Sequence, residues 1–472
     1  MPKILMVASE ATPFCKTGGL ADVMGSLPVA LQQRGESVAV VLPGYRINHY
    51  PGPLHEAYRN LWIPLGPGFT VDIYECVERD VTFYFVMCPA LFDRDGIYSD
   101  NGWGFPDNFL RYAVLSMAAT GAVRHLFRPD VVHCHDWQSA LTPLYLRYNF
   151  RNDPTFPGIK LLFTIHNLGY QGEFGPEILP QIGVDRKLYS PAQLEFYGRV
   201  NYLKGGIYFS DAISTVSKGY AREIQTPEYG FGLDGYLRAQ DRLTGILNGV
   251  DYSEWDPQTD PHIAKNYSVD DLSGKRECKR ALLAEFGLPA DATDRPLIGI
   301  VSRFAEQKGF DLIAQIAGAL LDQDLGLVVL GSGDRNFEQM FNHFHAVRPD
   351  KCGVWIGYNN ALSHRIEAGA DMFLMPSRYE PSGLNQMYSL RYGAVPIVRA
   401  TGGLDDTIDE ETGFKFWDYS GTALMGAIQD ALAAYRHRDE WTTMMRRGMQ
   451  KDFSWGASAA EYSKLYRRLL AS

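Results

Sequence analysis

"KILMVASEATPFCKTGGLADVMGSLPVALQQRGESVAVVLP", residues 3–43, decides the fold class. It opens on a short apolar run, turns at a pair of glycines, continues as an amphipathic stretch closed by Gly35, and ends on a second apolar run, "SVAVVLP". That order reads as strand, helix, strand. Further along come "VTFYFVMC", "DVVHCH", "KLLFTIH" and "DAISTVS", all short and β-rich, with helical stretches between several of them. The alternation predicts a mostly parallel sheet with helices on both faces.

Near Asn248 the texture changes. "LNGVDYSEWDPQTDPHIAKNYSVDDLSGK" is polar, carries prolines and has no clear period, as expected of a crossing between domains. The alternation then restarts with "PLIGIVS", "LGLVVLGSG", "GVWIGY", "DMFLMPS" and "VPIVRA", while "GFDLIAQIAGALL" reads as a helix. The expectation is an α/β chain of two Rossmann-like, doubly wound domains, over residues 1–247 and 248–452. A last helix over 453–472 has a basic final turn.

Composition sets outer bounds. A chain of 472 residues, 46% hydrophobic and 21% charged, has sequence enough for more than one core. A net charge of −10 without any basic run argues against nucleic acid and anionic membranes as partners. The six cysteines (Cys15, Cys76, Cys88, Cys134, Cys278 and Cys352) form no C-x-x-C pair and read as reduced thiols of a cytoplasmic protein. The N-terminus reads as a first strand rather than a signal peptide, and no apolar run is long enough to span a membrane.

Thr-Gly-Gly-Leu-x-Asp occurs twice, in "KTGGLAD" from Lys16 and in "ATGGLDD" from Ala400. Each copy follows a strand and opens a helix, whose free N–H groups favour anions. Each also fits a plain tight turn. Lys16 favours the anion reading for the first copy; the second lacks the lysine and is read as a turn.

Four other stretches carry chemistry. "VSRFAEQKGFD", residues 301–311, leaves the carboxyl end of a strand, the edge where open α/β sheets bind ligands. Arg303 and Lys308, a planar fork and a point charge, suit a diphosphate there. "MPSRYEPSGLNQMYSLRYG", residues 375–393, places Glu380 after another strand, with Ser382, Gly383 and Leu384 at a helix start. A carboxylate beside phosphate serves a sugar hydroxyl or a developing positive charge, or else it satisfies the helix dipole. In "TIHNLGYQGEF", residues 164–174, His166 and Asn167 lie just beyond a strand, with a ligand contact and a structural role both open for the histidine. In "VVHCHDWQSALTP", residues 131–143, His133 and His135 share one strand face while Cys134 and Asp136 point the other way. No fourth ligand is evident, so no metal is assigned. Asp136 is read as a cleft residue.

Together these pieces resemble the bacterial glycogen synthases and plant starch synthases, which transfer glucose from ADP-glucose. "KTGGLADV", "HDW", "HNLGYQG", "LNGVD", "SRFAEQKG", "PSRYEPSGL" and "TGGLDDT" carry the resemblance nearly end to end. It implies a GT-B fold, with two Rossmann-like domains facing a central cleft and the last helix packed on the first domain. It implies retaining transfer of glucose to the non-reducing end of an α-1,4-glucan, with no cofactor. On this sequence it implies that Arg303 and Lys308 bind the diphosphate, aided by backbone donors of Gly383 and Leu384. Lys16 and Gly19 would reach the donor, Asp22 would lie near the ribose, and Tyr358 would pack on adenine. His166, Asn248 and Glu380 would contact glucose, with Asp136 beside the reacting centre and Asn167 among the substrate contacts. Two departures stand out: Ser382 where many bacterial relatives have cysteine, and Tyr388 where many wider relatives have a second glutamate. UDP-glucose as donor and a non-catalytic glucan-binding protein are the alternatives. A nucleotide-binding oxidoreductase would need a complete G-x-G-x-x-G turn, which is absent.

Overall fold

A buried parallel strand, β1 (Lys3–Val7), organises the first half of the computed structural model, which describes residues 1–100 and 103–472. Along the chain follow β2 (Ser37–Pro43), β3 (His55–Ile63), β4 (Phe69–Glu78) and β5 (Val81–Met87). A ribbon of β6 (Ser99–Asp100) and β7 (Trp103–Gly104) precedes β8 (Val131–His135) and β9 (Lys160–Ile165). Then come β10 (Glu173–Phe174), β11 (Glu195–Phe196) and β12 (Arg199–Asn201), which form a small antiparallel sheet of their own, and finally β13 (Ala212–Thr215) and β14 (Leu243–Gly245). The main sheet runs β14-β13-β9-β8-β1-β2-β5-β4-β3. All its pairings are parallel except β3 with β4 and β4 with β5. That antiparallel edge was not expected from sequence.

The helix Gly19–Gln33 lies on this sheet, and Leu20, Val23, Met24 and Leu27 enter its core. The C-terminal helix Trp455–Ala471 brings Trp455, Ala459, Tyr462, Leu465 and Tyr466 into the same core. A period of three and four residues places these side chains on one face. Losing a fully buried aromatic such as Tyr462 would cost about 3–5 kcal/mol. The helix thus belongs to the compact unit of residues 1–216, 221–249 and 455–472.

The second unit, residues 217–220 and 250–454, contains β15 (Leu297–Val301), β16 (Gly326–Gly331), β17 (Cys352–Ile356), β18 (Met372–Met375), β19 (Val395–Arg399) and β20 (Phe414–Phe416). They form one wholly parallel sheet in the order β17-β16-β15-β18-β19-β20. One layer packs Ile298, Ile300, Phe310, Ile313, Phe341 and Ile428 on one side, and a second packs Leu297, Val328, Leu330 and Phe373 on the other.

Both sheets change winding direction once. In the first unit the chain leaves β1 toward β2 and later returns to β8 on the opposite side. In the second it leaves β15 toward β16 and returns to β18. Loops leaving the two strands at such a switch diverge to opposite faces and leave a crevice at the carboxyl edge. Four of the segments predicted to carry chemistry, those with Lys16, Asp136, Arg303 and Glu380, leave these four strands, while His166 and Asn167 follow the neighbouring β9.

Candidate active site

In the second unit, the loops after β15 and β18 enclose a cavity of about 170 Å³ lined by Arg303, Lys308, Ser377, Glu380, Gly383 and Leu384, among others. Lys308 Nζ donates to Glu380 Oε2 at 2.7 Å, and Ser377 Oγ donates to the same oxygen at 3.0 Å. Glu380 is buried, so it needs both donors. Arg303 is exposed, and among the described residues its guanidinium makes no hydrogen bond or ion pair. The cavity therefore presents one unpaired cation and one paired with a carboxylate. An anion entering it can take up both positive charges.

The two loops are fastened to each other. Arg378 N donates to Gln307 O at 2.8 Å, and Gln307 Nε2 donates to Tyr379 O at 3.1 Å. Gly309 has φ +73°, and a Cβ there would lie 1.9 Å from the carbonyl oxygen of Pro376. Only glycine fits both restrictions. The Arg378 guanidinium lies over the Tyr419 ring at 4.2 Å, and the Tyr419 hydroxyl donates to Asp311 on the helix that follows Lys308.

The second Thr-Gly-Gly-Leu belongs to this assembly. Gly403 N donates to Glu380 O at 3.0 Å, and a Cβ on Gly403 would sit 1.9 Å from Ser382 O. The motif opens the short helix Gly402–Thr407 rather than forming a plain turn, and Gly403 allows close packing against the Glu380 loop. Ser382 itself is buried, its hydroxyl has no partner among the described residues, and it does not line the cavity. Tyr358, just beyond β17, stands apart from the cavity lining with its ring 82% exposed.

In the first unit the loop after β1 is held from beneath by Glu10. Its buried carboxylate accepts from Thr17 N, Thr17 Oγ1 and Gly18 N, and from the Tyr98 hydroxyl at 2.9 Å. Burial nevertheless pushes its pKa above the ordinary carboxylate value, against the pull of those donors. Lys16 Nζ donates to Asp22 Oδ1 at 2.6 Å, and burial raises the Asp22 pKa while Lys16 draws it down. A Cβ on Gly18 or Gly19 would meet nothing within 4 Å. The two copies of the motif thus differ: the second is packed against protein, whereas the first has open space beside its glycines.

The loop after β8 begins at Asp136, with φ +57°. Its carboxylate accepts from His166 N at 2.7 Å. Burial and the nearby charge of Glu10 raise its pKa to about 7, against backbone donors from His166 and Asn167. His166 is buried, and burial lowers its pKa to about 3. His166 Nε2 and His135 Nδ1 are 2.9 Å apart, which requires one to carry the proton. The other nitrogen of His135 is buried and has no partner among the described residues. A lone pair there costs less than an orphaned N–H, so His135 donates and His166 accepts at Nε2. Asn167 Oδ1 accepts from Gly169 N at 2.9 Å, turning the loop. Asn248, shortly after β14, is buried, and its side-chain oxygen has no partner among the described residues.

Arg303, Lys308, Glu380, Gly383 and Leu384 are therefore brought to one cavity, and Asp136 and His166 to one hydrogen-bonded cluster. Glu10 and Ser377 escaped sequence reading, and His135 was read only for its strand face and not for its hydrogen bond to His166. Each is a polar residue beside a strand end, and only the folded structure shows which are buried with a partner. Among the described residues no group of three or more His, Cys, Asp and Glu is placed to hold a metal ion, and no helix is long and apolar enough to cross a membrane.

Comparison with known proteins adds a separate line of observation. The starch synthase catalytic domain model matches residues 3–239, and the glycosyl transferases group 1 model matches residues 288–447. A glycogen synthase of Koribacter versatilis is 49% identical over 475 residues, covering 98% of each chain. One from Anaeromyxobacter sp. is 46% identical, covering 99% of this chain and 100% of its own. Among solved structures, the catalytic domain of starch synthase IV from Arabidopsis thaliana, bound to ADP and acarbose, matches with a TM-score of 0.89 and 33% identity over the whole of both chains. A sucrose-phosphate synthase from Thermosynechococcus elongatus shares the fold, with a TM-score of 0.60 at 18% identity.

Proposed function

The chain belongs to the glycogen and starch synthase family and is a hexosyltransferase acting on nucleotide-sugar and glucan substrates; we propose that it moves glucose from ADP-glucose to the non-reducing end of an α-1,4-glucan, with retention of configuration. The observation that carries this reading is the pairing of unpartnered Arg303 with the Lys308–Glu380 couple around one cavity at a switch point.

In the transfer, the bond between the anomeric carbon and the β-phosphate oxygen breaks, and its electron pair stays on ADP. The acceptor 4-hydroxyl oxygen forms the new bond to that carbon, and its proton passes to the departing phosphate. Negative charge thus grows on the leaving group while positive charge grows on the sugar. Arg303 and Lys308 stabilise the first as charges already placed at the cavity. A diphosphate competes with Glu380 for Lys308, and Glu380 then accepts from a glucose hydroxyl. Backbone N–H groups of Gly383 and Leu384 add donors, with Ser382 acting through its position in the chain.

In the first unit we assign Lys16 and Gly19 to the donor, where the open space beside Gly18 and Gly19 permits close approach. Asp22 is assigned to the ribose. His166, Asn167 and Asn248 are assigned to glucose, with the unpartnered oxygen of Asn248 as an acceptor for a hydroxyl. Asp136 is assigned to the reacting centre. Adenine is favoured over uracil because the relative at 33% identity holds ADP, and the exposed Tyr358 ring suits stacking on a base.

Labelled glucose from ADP-glucose and from UDP-glucose, offered with glycogen, tests the proposal. Incorporation from ADP-glucose in preference is expected, and it should survive chelation because the two cations supply the charge. Preference for UDP-glucose would overturn the base assignment. Glycogen retention without incorporation from either would overturn catalysis.

A further inference from the structure

Two tight turns of the first unit carry aromatic residues in a conformation that aromatics rarely adopt. In the hairpin joining β11 to β12, Phe196 pairs with Arg199 across a two-residue turn. Its central residues, Tyr197 and Gly198, have φ +48° and +81°. In the turn from Gly230 to Leu233, closed by Leu233 N donating to Gly230 O at 2.7 Å, the central residues Phe231 and Gly232 have φ +46° and +82°. Two positive φ values in succession define a turn that selects Asn-Gly or Asp-Gly. A bulky side chain at the first position is strained. Here that position is Tyr in one turn and Phe in the other.

The two turns meet. A Cβ on Gly232 would lie 2.9 Å from Phe196 Cζ and 3.2 Å from Tyr197 Cε2. Both strained rings face solvent, Tyr197 at 80% and Phe231 at 39% exposure. Folding gains little from burying Tyr197, so core packing does not account for the strain.

The pair is fixed to the segment read above as contacting sugar. β12 pairs with β10, which directly follows "HNLGYQG". Gln171 of that segment donates through Nε2 to Phe231 O at 3.1 Å and accepts from Asn201 Nδ2 of β12 at 2.5 Å. Gly172 in turn packs on Trp137, next to Asp136. At the edge of the hairpin Arg199 Nε lies 3.7 Å from Glu173 Oε2, and the Glu195 carboxylate accepts from Gly198 N of the turn at 2.7 Å. The surface is therefore aromatic with polar and charged groups at its edge, which matches the apolar face and hydroxyl rim of a pyranose ring.

We propose that Tyr197 and Phe231 form a stacking platform for glucose units of the α-1,4-glucan chain lying beyond its reacting end. The proposal rests on the glucan-synthase reading given above. The strained turns hold the rings outward before the glucan arrives, so little side-chain freedom is lost on binding.

The test uses Tyr197→Asn with Phe231→Asn, because asparagine suits both turns. The melting temperature should hold or rise. The half-saturating concentration should rise about tenfold for glycogen, as expected for two stacked rings, with the loss shrinking as the acceptor shortens to maltotriose. No change on glycogen, or an equal loss at every acceptor length, would overturn the platform. If the double variant fails to fold, nitration of the wild-type protein decides: long maltodextrin should shield Tyr197, whereas unaltered nitration would overturn the proposal. Nitration needs no turnover, so a platform that shields in a protein without transfer activity would separate failure of the catalytic reading from failure of this one.

Discussion

Lys308 and Glu380 share a 2.7 Å hydrogen bond across two loops that leave neighbouring strands, and both side chains line the cavity where the unpaired Arg303 stands. Their separation in sequence is 72 residues, so the pair exists only because β15 and β18 are adjacent. Lys308→Ala and Glu380→Ala should each lower turnover by roughly 10²–10³-fold, the usual loss when one fixed charge is removed from a transition state. Circular dichroism should show native structure in both. Near-normal turnover in both variants would remove the cavity from the mechanism.

Ser377 touches Glu380 but is assigned no contact with substrate, and it is treated as a positioning residue. Ser377→Ala should reduce kcat about tenfold, the low end for a hydrogen bond to a charged group, with the KM for ADP-glucose nearly unchanged. Ser377→Thr should restore most of the rate. In a Glu380→Gln background the same change should have almost no effect, since the serine would act through a charge already gone. Additive losses in that double-variant cycle would show that Ser377 acts elsewhere.

The repeated Thr-Gly-Gly-Leu gives a paired prediction. Gly403→Ala drives a Cβ to within 1.9 Å of a backbone oxygen, so it should destabilise the protein by about 1–3 kcal/mol and lower activity with it. Gly19→Ala meets no protein atom and starts a helix, so stability should hold or rise by about 0.5–1 kcal/mol. Its kcat/KM should still fall about 10- to 100-fold if substrate must approach that backbone. Chemical denaturation and steady-state kinetics on both variants check the contrast. A stable, fully active Gly19→Ala would mark the first copy as an ordinary turn.

Most parallel strands were legible because each is a short apolar run, and Arg303, Lys308, Glu380 and Asp136 were legible because each follows one; the three-residue edge strands β14 and β20 carry too short a pattern to be read. The hairpin of β3 and β4 was not, since "HEAYRNLWI" is largely solvated and bends at Asn60, where φ is +57°. A solvated, bulged edge loses the period-two pattern that marks a half-buried strand. Glu10 carries no local signal of burial; its carboxylate is satisfied inside because the turn after it returns Thr17 and Gly18 N–H groups to it. Tyr388, whose role could not be carried over from relatives with glutamate there, stacks on Trp255 at 3.9 Å with the rings 1° from parallel. Such roles depend on partners distant in sequence, which no local pattern encodes.

Acid stability should expose the buried histidines. Burial lowers His133, His135 and His166 below their ordinary 6.5, so the native state leaves them neutral where the unfolded chain binds protons. Asp136 has the opposite sign: its pKa is raised from 3.8 to about 7, so the native state holds a proton that the unfolded chain has released. Each group whose native state lacks a proton makes stability fall as pH drops, by up to about 1.4 kcal/mol per pH unit. The three histidines therefore pull stability down as pH falls from 6.5 toward 3.8, and Asp136 opposes them, as does the buried Glu367 with its raised pKa. Glu10 and Asp22, also raised, reduce that slope but are common to every variant compared. His166→Gln removes one proton uptake by the unfolded chain and should flatten the decline. Asp136→Asn removes the opposing group and should steepen it. Urea denaturation of the three proteins across that interval gives the slopes, and two variants moving in the same direction would refute the assignment of neutral histidine beside protonated carboxyl.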